Sequence, residues 1–334
     1  MGHARTTHPD DDGSRDGLPH ATRLWVEKVL GPRERVTDAV ALHGGSTSTM
    51  RRLSVVGRGG ERQLVLRSFA HPFFARHAVG LLSREAAVLR LLKDTDIPAA
   101  AVLAVDAAAE HCAHPSLLMT LLPGTVRLTD RGAGHRADLL ARQLLGIHRT
   151  RVAPEARPRP YQPWAAPESV EIPPSTSRPR LWDRAVDVIR REPPDHVPRF
   201  LHRDFHPGNV LFTGDGDAPV VSGVVDWVET SWGPADLDVA HCCTNLALLH
   251  GVQEGMRFAD RYTGAGGALA DDPAAHLYWR LLDALSFAPD AGKIAGPWHD
   301  LGRTDLTPAL LGRRLEDYLQ ACFERYGGTE RSTP

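Results

Sequence analysis

Hydrophobic and polar residues alternate along the first third of the chain, and this alternation is typical of half-buried strands. The predicted strands cover residues 36–43, 50–56, 63–67 and 116–119. A Gly/Ser/Thr-rich turn at 44–49 and a second turn at 57–60 separate the first three. Apolar residues then recur with a helical period over 82–92. The pattern predicts a small β-rich lobe with one helix.

Beyond Pro123 the hydrophobic period becomes helical, with helices predicted at 140–148, at 181–191 and over 242–326. Eight prolines between residues 154 and 179 exclude a regular helix or a central strand from that stretch. A loop of such length is usually functional or disordered. The chain is therefore predicted to be an α+β protein with a disordered leader at 1–20, an N-terminal lobe at 21–122, a helical C-terminal lobe at 123–326 and a tail at 327–334.

Composition narrows the class of protein. The chain has 334 residues, 42% hydrophobic and 24% charged, with a net charge of −2. This balance is ordinary for a globular protein and argues against nucleic acid or an anionic membrane as the main partner. Apolar runs stay below the roughly eighteen residues of a membrane helix, and the N-terminus lacks the apolar core of a secretory signal. We expect a cytoplasmic protein whose four cysteines are buried thiols.

The segment 199–228 contains residue types that phosphoryl transfer requires. This reaction needs a carboxylate near the acceptor hydroxyl, oxygen ligands for Mg²⁺ and groups that hold the phosphates. Protein kinases use the pattern H-R-D-x-x-x-x-N, followed downstream by a metal-binding Asp. Here His202-Arg203-Asp204 is followed by Asn209 at the same spacing.

Asn209 and Asp226 are predicted to lie together in space. Residues 210–212 and 220–225 are typical of two strands joined by a tight turn. Such a hairpin places the start of one strand beside the end of the other. An amide oxygen and a carboxylate are suitable ligands for Mg²⁺, and Asp204 is left to act as the base or orienting group for the acceptor hydroxyl.

Other interpretations of this region are weaker. His202 and His206 could form an H-x-x-x-H metal pair, but Pro207-Gly208 breaks the helix that such a pair requires. The turn at 215–217 resembles part of a calcium loop, but no Glu closes it, so we expect a solvated turn. Asp236 is expected to be a surface charge.

Three segments carry a family resemblance, namely His202 to Asn209, Val225-Asp226-Trp227, and Gly233 to His241. In this order they resemble the aminoglycoside phosphotransferase and choline kinase-like family, and the likeness extends weakly over most of 36–326. The resemblance implies a bilobal protein kinase-like fold with ATP and Mg²⁺ as cofactors. It also implies site roles: Asp204 as catalytic base, Asn209 and Asp226 as Mg²⁺ ligands, and His202 and Asp238 as structural supports of the catalytic loop.

A phosphate-binding loop is predicted in the first lobe. Its candidate residues are Gly44, Gly45, Ser46 and Thr47. Their backbone N–H groups and hydroxyls could cover the ATP phosphates, although a plain hairpin turn has the same composition. The position of this turn between two strands, upstream of a kinase-type loop, favours the functional interpretation.

Arg67 occupies the place where kinases put a phosphate-binding Lys, and its proposed partner is Glu85. The alternatives are a surface arginine on a strand edge, and an exposed Glu85 that pairs with Arg84 or Arg90. The segment of Met119, Thr120 and Leu121 resembles a kinase hinge, where backbone groups would meet the nucleotide base. Backbone recognition leaves both ATP and GTP open.

Two features bear on the acceptor. Residues 230–334 contain fourteen Asp and Glu and nine Lys and Arg, a net charge of −5, which would attract a cationic acceptor such as an aminoglycoside. Four aromatic residues could instead wall a pocket for an apolar acceptor such as a macrolide, or belong to the core: Tyr278, Trp279, Phe287 and Trp298. The proline-rich stretch 151–180 is a candidate wall or lid.

The sequence thus predicts an ATP-dependent O-phosphotransferase that acts on a hydroxyl of a small molecule, with an aminoglycoside or another antibiotic as the leading acceptor. The alternatives are a kinase of an amino alcohol or sugar, and a non-catalytic nucleotide-binding or regulatory protein of the same fold. A protein kinase is disfavoured, because only six residues separate Asp226 from Gly233. The sequence does not determine the oligomeric state.

Overall fold

The alternating apolar residues of the N-terminal third build an antiparallel sheet in the computed structural model, which describes residues 17–42, 48–216 and 218–327. Its strands are β1 (Glu34–Leu42), β2 (Thr49–Gly57), β3 (Gly60–Ser68), β4 (Val102–Asp106) and β5 (Ser116–Thr120). They lie in the order β1-β2-β3-β5-β4. Gly60, with φ 102°, permits the tight turn between β2 and β3, because a side chain would strain this conformation.

Three helices accompany the sheet: α1 (His20–Leu30), α2 (Pro72–Ala75) and α3 (Ala78–Leu92). The inward-facing leucines and valines of the strands pack against Trp25 and Val26 of α1 to form a buried core. Leu18 is also fully buried in this core, so ordered packing begins before residue 20. The helix predicted at 82–92 is confirmed as part of α3.

The chain divides into two compact units. The first consists of Met1–Lys93 and Ala100–Leu122, and the second of Asp94–Ala99 and Pro123–Pro334. The predicted phosphate-binding loop of Gly44, Gly45, Ser46 and Thr47 lies outside the described residues, as do residues 1–16 of the predicted leader and residues 328–334 of the predicted tail.

The second unit is mainly helical. Its helices are α4 (Ala133–His148), α5 (Pro179–Ile189), α6 (Ala235–His250), α7 (Val252–Gly264), α8 (Pro273–Ala284), α9 (Ala295–Asp300) and α10 (Pro308–Tyr326). Helix α6 is buried on all sides from Ala235 to Leu249 and packs against α7, α8 and α10. A helix that is buried on every face belongs in a core, and α6 therefore forms the centre of this unit.

Two short antiparallel pairs of strands accompany these helices: β6 (Pro198–Leu201) with β9 (Ser231–Pro234), and β7 (Val210–Thr213) with β8 (Val220–Val224). The second pair is antiparallel and matches Val210 with Val224. The hairpin predicted from the sequence is therefore confirmed. The helices predicted near 140–148, at 181–191 and over 242–326 are present as well.

Five elements were not predicted, namely α1, α2, β4, β6 and β9. The two β6 and β9 strands have four residues each, and both contain proline, which usually marks a turn or an edge. Pro198 and Pro234 are paired with each other at one end of this two-stranded sheet. Strand β4 has five residues inside an alanine-rich run, where the alternation is too short to distinguish a strand from a helix.

Candidate functional site

Uncommon backbone conformations occur in the loop of residues 202–209, the predicted catalytic loop, and at Asp226. Residues Arg203 and Asp226 have φ values of 76° and 63°, in the left-handed region that costs a residue with a side chain roughly 1–2 kcal/mol. Such a conformation persists only where surrounding contacts determine it. The contacts that hold Arg203 come from a buried carboxylate on α6.

That carboxylate belongs to Asp238, whose side chain is fully buried. Its Oδ2 accepts the N–H of His202 at 2.9 Å and its Oδ1 accepts the N–H of Arg203 at 2.8 Å. His148 Nε2 lies 3.2 Å from Oδ2. Burial would raise the pKa of Asp238, but the hydrogen bond from His148 and nearby positive charge hold this pKa below its usual value. Asp238 therefore stays ionised and holds the start of the loop through two hydrogen bonds. These contacts are compatible with the supporting role predicted for it.

His202 joins this loop to the segment before Asp226. Its Nδ1 accepts the N–H of Asp204 at 3.2 Å, and its Nε2 donates to the carbonyl oxygen of Val225 at 3.0 Å. Burial lowers the pKa of His202, so the ring is neutral and has one proton, on Nε2. The supporting role predicted for His202 is compatible with these contacts.

Asp204 lies at the surface of the loop with 29% of its side chain exposed. Oδ2 accepts a hydrogen bond from Asn209 Nδ2 at 3.0 Å, and Oδ1 lies 3.0 Å from His241 Nε2. Burial would raise the pKa of Asp204, but the hydrogen bond from His241 and the positive charge of that ring lower it well below the usual range. Asp204 is therefore an ionised carboxylate whose two oxygens are both anchored.

Asn209 and Asp226 meet through the hairpin, as the sequence predicted. The carbonyl oxygen of Asn209 accepts the N–H of Val225 at 3.0 Å, and Asp226 is the next residue. Because Nδ2 of Asn209 points to Asp204, the amide oxygen of Asn209 is the atom left for a cation. An amide oxygen and a carboxylate fit the hard-oxygen preference of Mg²⁺. Their role as Mg²⁺ ligands stays a prediction.

The sequence reasoning missed the contribution of His241 and Asp283 to this site. His241 lies in a motif that carried the family resemblance but was given no role, and Asp283 belongs to no motif. The sequence does contain one indication of a role for His241. This histidine lies within the buried run from Ala235 to Leu249, and a buried imidazole needs hydrogen-bond partners. The partner itself lies on α8, at a sequence distance that no local pattern could reveal.

Asp204, His206 and His241 place three ligand atoms within 4.8 Å of one another, which raises the question of a transition-metal site. The hydrogen bonds argue against it. His206 Nδ1 accepts the N–H of Gly208 at 3.1 Å, so Nε2 of the neutral ring carries the proton and cannot bind a metal. Both nitrogens of His241 already face carboxylates.

Trp164, from the proline-rich stretch, lies beside the catalytic loop with 38% of its surface exposed. The Arg203 guanidinium carbon lies 3.8 Å from the centre of its indole ring, and the His241 ring lies at 5.1 Å. The aromatic wall proposed for the acceptor, in contrast, is buried: Tyr278, Trp279, Phe287 and Trp298. Its residues belong mainly to the core, and Trp164 is the exposed aromatic side chain next to Asp204.

The acidic surplus of residues 230–334 is not concentrated at the site. Asp236, expected at the surface, is buried, and its carboxylate accepts the N–H of Ala270 at 3.2 Å; the expectation was wrong because this residue caps a loop inside the fold. Several other acids pair with arginines: Asp260, Asp305 and Asp317. The surplus therefore lends little support to a cationic acceptor.

In the first unit, Arg67 and Glu85 form the expected ion pair. The Nη1 of Arg67 lies 2.9 Å from Glu85 Oε1, both side chains are buried, and Arg67 Nε donates to Ser48 Oγ at 3.0 Å. Strand β3 lies inside the sheet, so the alternatives of an edge arginine and an exposed Glu85 are wrong. Whether Arg67 contacts phosphate stays a prediction.

The predicted hinge begins at the end of β5. Met119 is buried and pairs with Val65, and the N–H of Thr120 donates to the carbonyl oxygen of Ala101 at 2.9 Å. The amide of Thr120 is therefore committed to the protein. The predicted recognition of the base rests on the remaining backbone groups of this segment, including those of Leu121.

Among the described residues, no helix is long and apolar enough to cross a membrane. All four cysteines are buried and free, as expected.

Several solved structures are similar to this chain. Macrolide 2'-phosphotransferase type I is 18% identical, with 87% of this chain and 98% of that chain covered and a TM-score of 0.56. A thermostable mutant of aminoglycoside phosphotransferase APH(4)-Ia, in ternary complex with ADP and hygromycin B, is 18% identical, with coverages of 92% and 98% and a TM-score of 0.57. The GDP and kanamycin complex of APH(2")-IIia is 14% identical, with 86% of this chain and 94% of that chain covered and a TM-score of 0.54.

These likenesses show the fold and confirm the predicted α+β, protein kinase-like class. A search of the curated proteins finds no match. The model of the phosphotransferase enzyme family matches residues 39–279, which is more than half of the chain. The chain belongs to the phosphotransferase enzyme family.

Proposed function

We propose that the protein is an ATP-dependent O-phosphotransferase that moves the γ-phosphate to a hydroxyl of a small molecule, an aminoglycoside or another antibiotic. The observation that carries the proposal is the state of Asp204. Its carboxylate is ionised, partly exposed and anchored through both oxygens. Such a group is suited to orient a hydroxyl for in-line attack on a phosphoryl group.

In the proposed reaction, the acceptor hydroxyl donates its hydrogen bond to Asp204. The acceptor oxygen forms a bond to the γ-phosphorus, while the bond from that phosphorus to the bridging oxygen breaks and leaves its electron pair on ADP. The hydroxyl proton passes to Asp204 and then to water. Because nearby charges keep the pKa of Asp204 low, this carboxylate mainly positions the hydroxyl and takes the proton late.

Asn209 and Asp226 are the residues proposed to hold Mg²⁺. When bound, this ion supplies charge neutralisation at the nucleotide phosphates. Arg67, kept in place by Glu85 and Ser48, is the proposed phosphate contact of the first unit. Among the solved structures of similar fold, one contains ADP and hygromycin B, and another contains GDP and kanamycin. A third is named a macrolide 2'-phosphotransferase. These names support a small-molecule acceptor and a purine nucleotide.

A coupled ADP-release assay over a panel of aminoglycosides, macrolides, amino alcohols and sugars tests this proposal, with ATP and GTP as alternative donors. Acceptor-dependent release is expected, and Asp204→Asn should lower kcat by about 10²–10⁴-fold. Asp215→Asn is the matched control, because Asp215 is an exposed carboxylate in the same hairpin, and its activity should equal that of the wild type.

Nucleotide binding separates the proposed roles. Asp226→Ala should weaken Mg²⁺-dependent binding of ATP more than Asp204→Asn does, measured by calorimetry with and without EDTA. Equal losses in the two variants would contradict the assignment. Retained Mg-ATP binding without turnover on any acceptor would favour a non-catalytic nucleotide-binding protein instead.

A further inference from the structure

His241 of helix α6 lies between two carboxylates. Its Nε2 is 3.0 Å from Asp204 Oδ1, and its Nδ1 is 2.9 Å from Asp283 Oδ1. A neutral imidazole carries one N–H and can donate to only one of these oxygens, whereas an imidazolium donates to both. Only 5% of the His241 side chain is exposed. Asn245 Nδ2 also lies 3.2 Å from His241 Nε2, and this amide group donates to the carbonyl oxygen of His241. Simultaneous hydrogen bonds from His241 to both carboxylates are made only by the protonated ring.

Asp283 of helix α8 is a fixed partner for this ring. Its side chain is fully enclosed, and its Oδ2 accepts the hydroxyl of Thr244 at 2.6 Å. Thr244 lies one turn after His241 on the same helix, so both contact one carboxylate. A buried carboxylate is stable only when it is paired and hydrogen-bonded. His241 is the ionisable side chain that hydrogen-bonds Asp283, and the charge of Arg203 also acts on this carboxylate.

The groups that surround His241 favour its positive charge. The charged or titratable side chains facing it are Asp204, Asp283, His206, Arg203 and Lys293. The two carboxylates touch the ring directly. The two cations lie behind aromatic rings: Arg203 covers Trp164, and Lys293 lies over Phe287, which stacks on His241 at 6.3 Å.

His206 adds no positive charge to this set, because burial lowers its pKa to about 4. For His241 itself, burial would lower the pKa, but the charge of Asp283 and the hydrogen bonds to both carboxylates raise it to about 9. The ring is thus protonated at neutral pH and loses its proton in the alkaline range.

We propose that His241, held as an imidazolium by Asp283, is a positioning residue that fixes the Asp204 carboxylate for the acceptor hydroxyl. With His241 on one oxygen and Asn209 on the other, the plane of the carboxylate is set, and its remaining lone pairs face the acceptor. This inference rests on the proposed function, because it assigns a reason for the geometry of Asp204 in that reaction. His241 touches neither the nucleotide nor the acceptor in this scheme.

Loss of the proton breaks the arrangement. A neutral His241 can donate to Asp204 or to Asp283, and its other nitrogen then presents a lone pair to the second carboxylate. The charge-assisted bond to Asp204 is lost in part of the molecules or weakened in all of them. We expect kcat to fall by about 10–100-fold, the range that one hydrogen bond to a charged group supports, while the KM for Mg-ATP stays within about twofold.

The pH dependence of kcat tests the proposal through two variants. In the wild type, kcat should fall as the pH rises through about 9. Asp283→Asn removes the charge that holds the proton, so the alkaline limb should move to lower pH. His241→Gln keeps a neutral donor near Asp204, so kcat should be lower at neutral pH but lack the alkaline limb. A purely structural role of His241 would lower the amount of folded enzyme and leave the position of the limb unchanged.

His250→Gln is the matched control. His250 lies on the same helix and hydrogen-bonds a carboxylate, Asp130, at 2.7 Å, but it is at the opposite end of α6 from the catalytic loop. Its substitution should leave both kcat and the alkaline limb unchanged. An equal shift of the limb in this variant would overturn the assignment to His241.

A measurement without substrate separates this inference from the proposed function. Imidazole ¹H–¹⁵N NMR of the full chain should show one histidine that titrates near pH 9, that disappears in His241→Gln and that titrates lower in Asp283→Asn. If this resonance is found but no acceptor supports turnover, the proposed function fails while the charged state of His241 stands. A His241 resonance that titrates below pH 7 overturns the inference, whatever the activity. If Asp283→Asn does not fold, the wild type and His241→Gln still decide between these outcomes.

Discussion

In the first unit, the charges buried at the proposed site form one pair, Arg67 with Glu85, whereas in the second unit they form a network of histidines and carboxylates around the catalytic loop. A guanidinium keeps its proton throughout the physiological range and beyond. An imidazole changes its charge near neutrality, at a pH that its neighbours set. The two units therefore hold buried charge with different sensitivity to pH.

The difference also concerns what each carboxylate is bound to. Glu85 pairs with the side chain of Arg67, while Asp238 accepts two backbone N–H groups of the catalytic loop. Loss of the first pair would remove a contact between two side chains. Loss of the second would release a backbone segment that contains the left-handed Arg203. The second unit should thus be the more vulnerable to a single substitution.

The largest effect is expected for Asp238→Asn. An amide offers one acceptor oxygen where the carboxylate offers two, so one loop N–H faces an NH₂ group and the charge opposite His148 is lost. We expect the free energy of unfolding to fall by about 3–5 kcal/mol. Urea denaturation measures it.

Asp236→Asn is the control for that substitution, since Asp236 is buried in the same first turn of α6. Burial raises the pKa of Asp236, whereas the pKa of Asp238 is lowered. Neutralising Asp236 should therefore cost about 1 kcal/mol. An equal loss in the free energy of unfolding for the two substitutions would show that the contacts of Asp238 with the loop add no stability beyond that of a buried acid.

A second, smaller effect is the loss of stability at alkaline pH. His241 has a pKa raised from 6.5 to about 9 in the folded protein, so its contribution is complete below pH 6.5 and is lost as the pH rises through 9. The loss should be on the order of 2–3 kcal/mol. Hydrogen exchange of amides in the catalytic loop should report it, while amides of β3 around Arg67 should show no change beyond the intrinsic rate. An equal response in β3 would contradict the comparison between the units.

The smallest effect is expected for Glu85→Gln. Glutamine preserves the shape and a hydrogen-bond acceptor but removes the charge, so stability should fall by about 1–2 kcal/mol, with the same cost at pH 7 and pH 9. Arg178→Ala is the control, because Arg178 pairs with Asp317 where both side chains are about half exposed. Exposed pairs contribute roughly 0–1 kcal/mol. A cost for Glu85→Gln that changes with pH would show that the pair is coupled to a titrating group.

Much of this architecture could be predicted from sequence because it rests on local signals. Alternating residues predicted β1, β2, β3 and β5. The strand-turn-strand pattern after Asn209 predicted that Asn209 and Asp226 lie together, and the structure joins Asn209 to Val225, the residue before Asp226. The Arg67–Glu85 pair followed from the order of strand and helix in the kinase comparison. Each of these inferences needed only neighbouring residues or a motif order.

The remainder depends on long-range packing. Asp283 reaches His241 because α8 packs on α6, and Trp164 reaches Arg203 from a stretch whose prolines give no periodic signal. Asp236 was misassigned for the same reason: its partner, the N–H of Ala270, belongs to a loop beyond α7. Partners contributed by a distant element leave no local trace, so sequence reasoning could place the acid but not its surroundings.

Trp164 gives the catalytic loop an optical property. Its indole is in edge contact with the His241 ring at 5.1 Å, and a protonated imidazole quenches indole fluorescence more strongly than a neutral one. We therefore expect the emission of Trp164 to change with the charge of His241. Among the seven tryptophans of the chain, the difference between the spectra of the wild type and of Trp164→Phe isolates this signal. The protein thus carries an intrinsic fluorophore beside Arg203 and His241, and ligands that displace or cover the indole should become visible without a label.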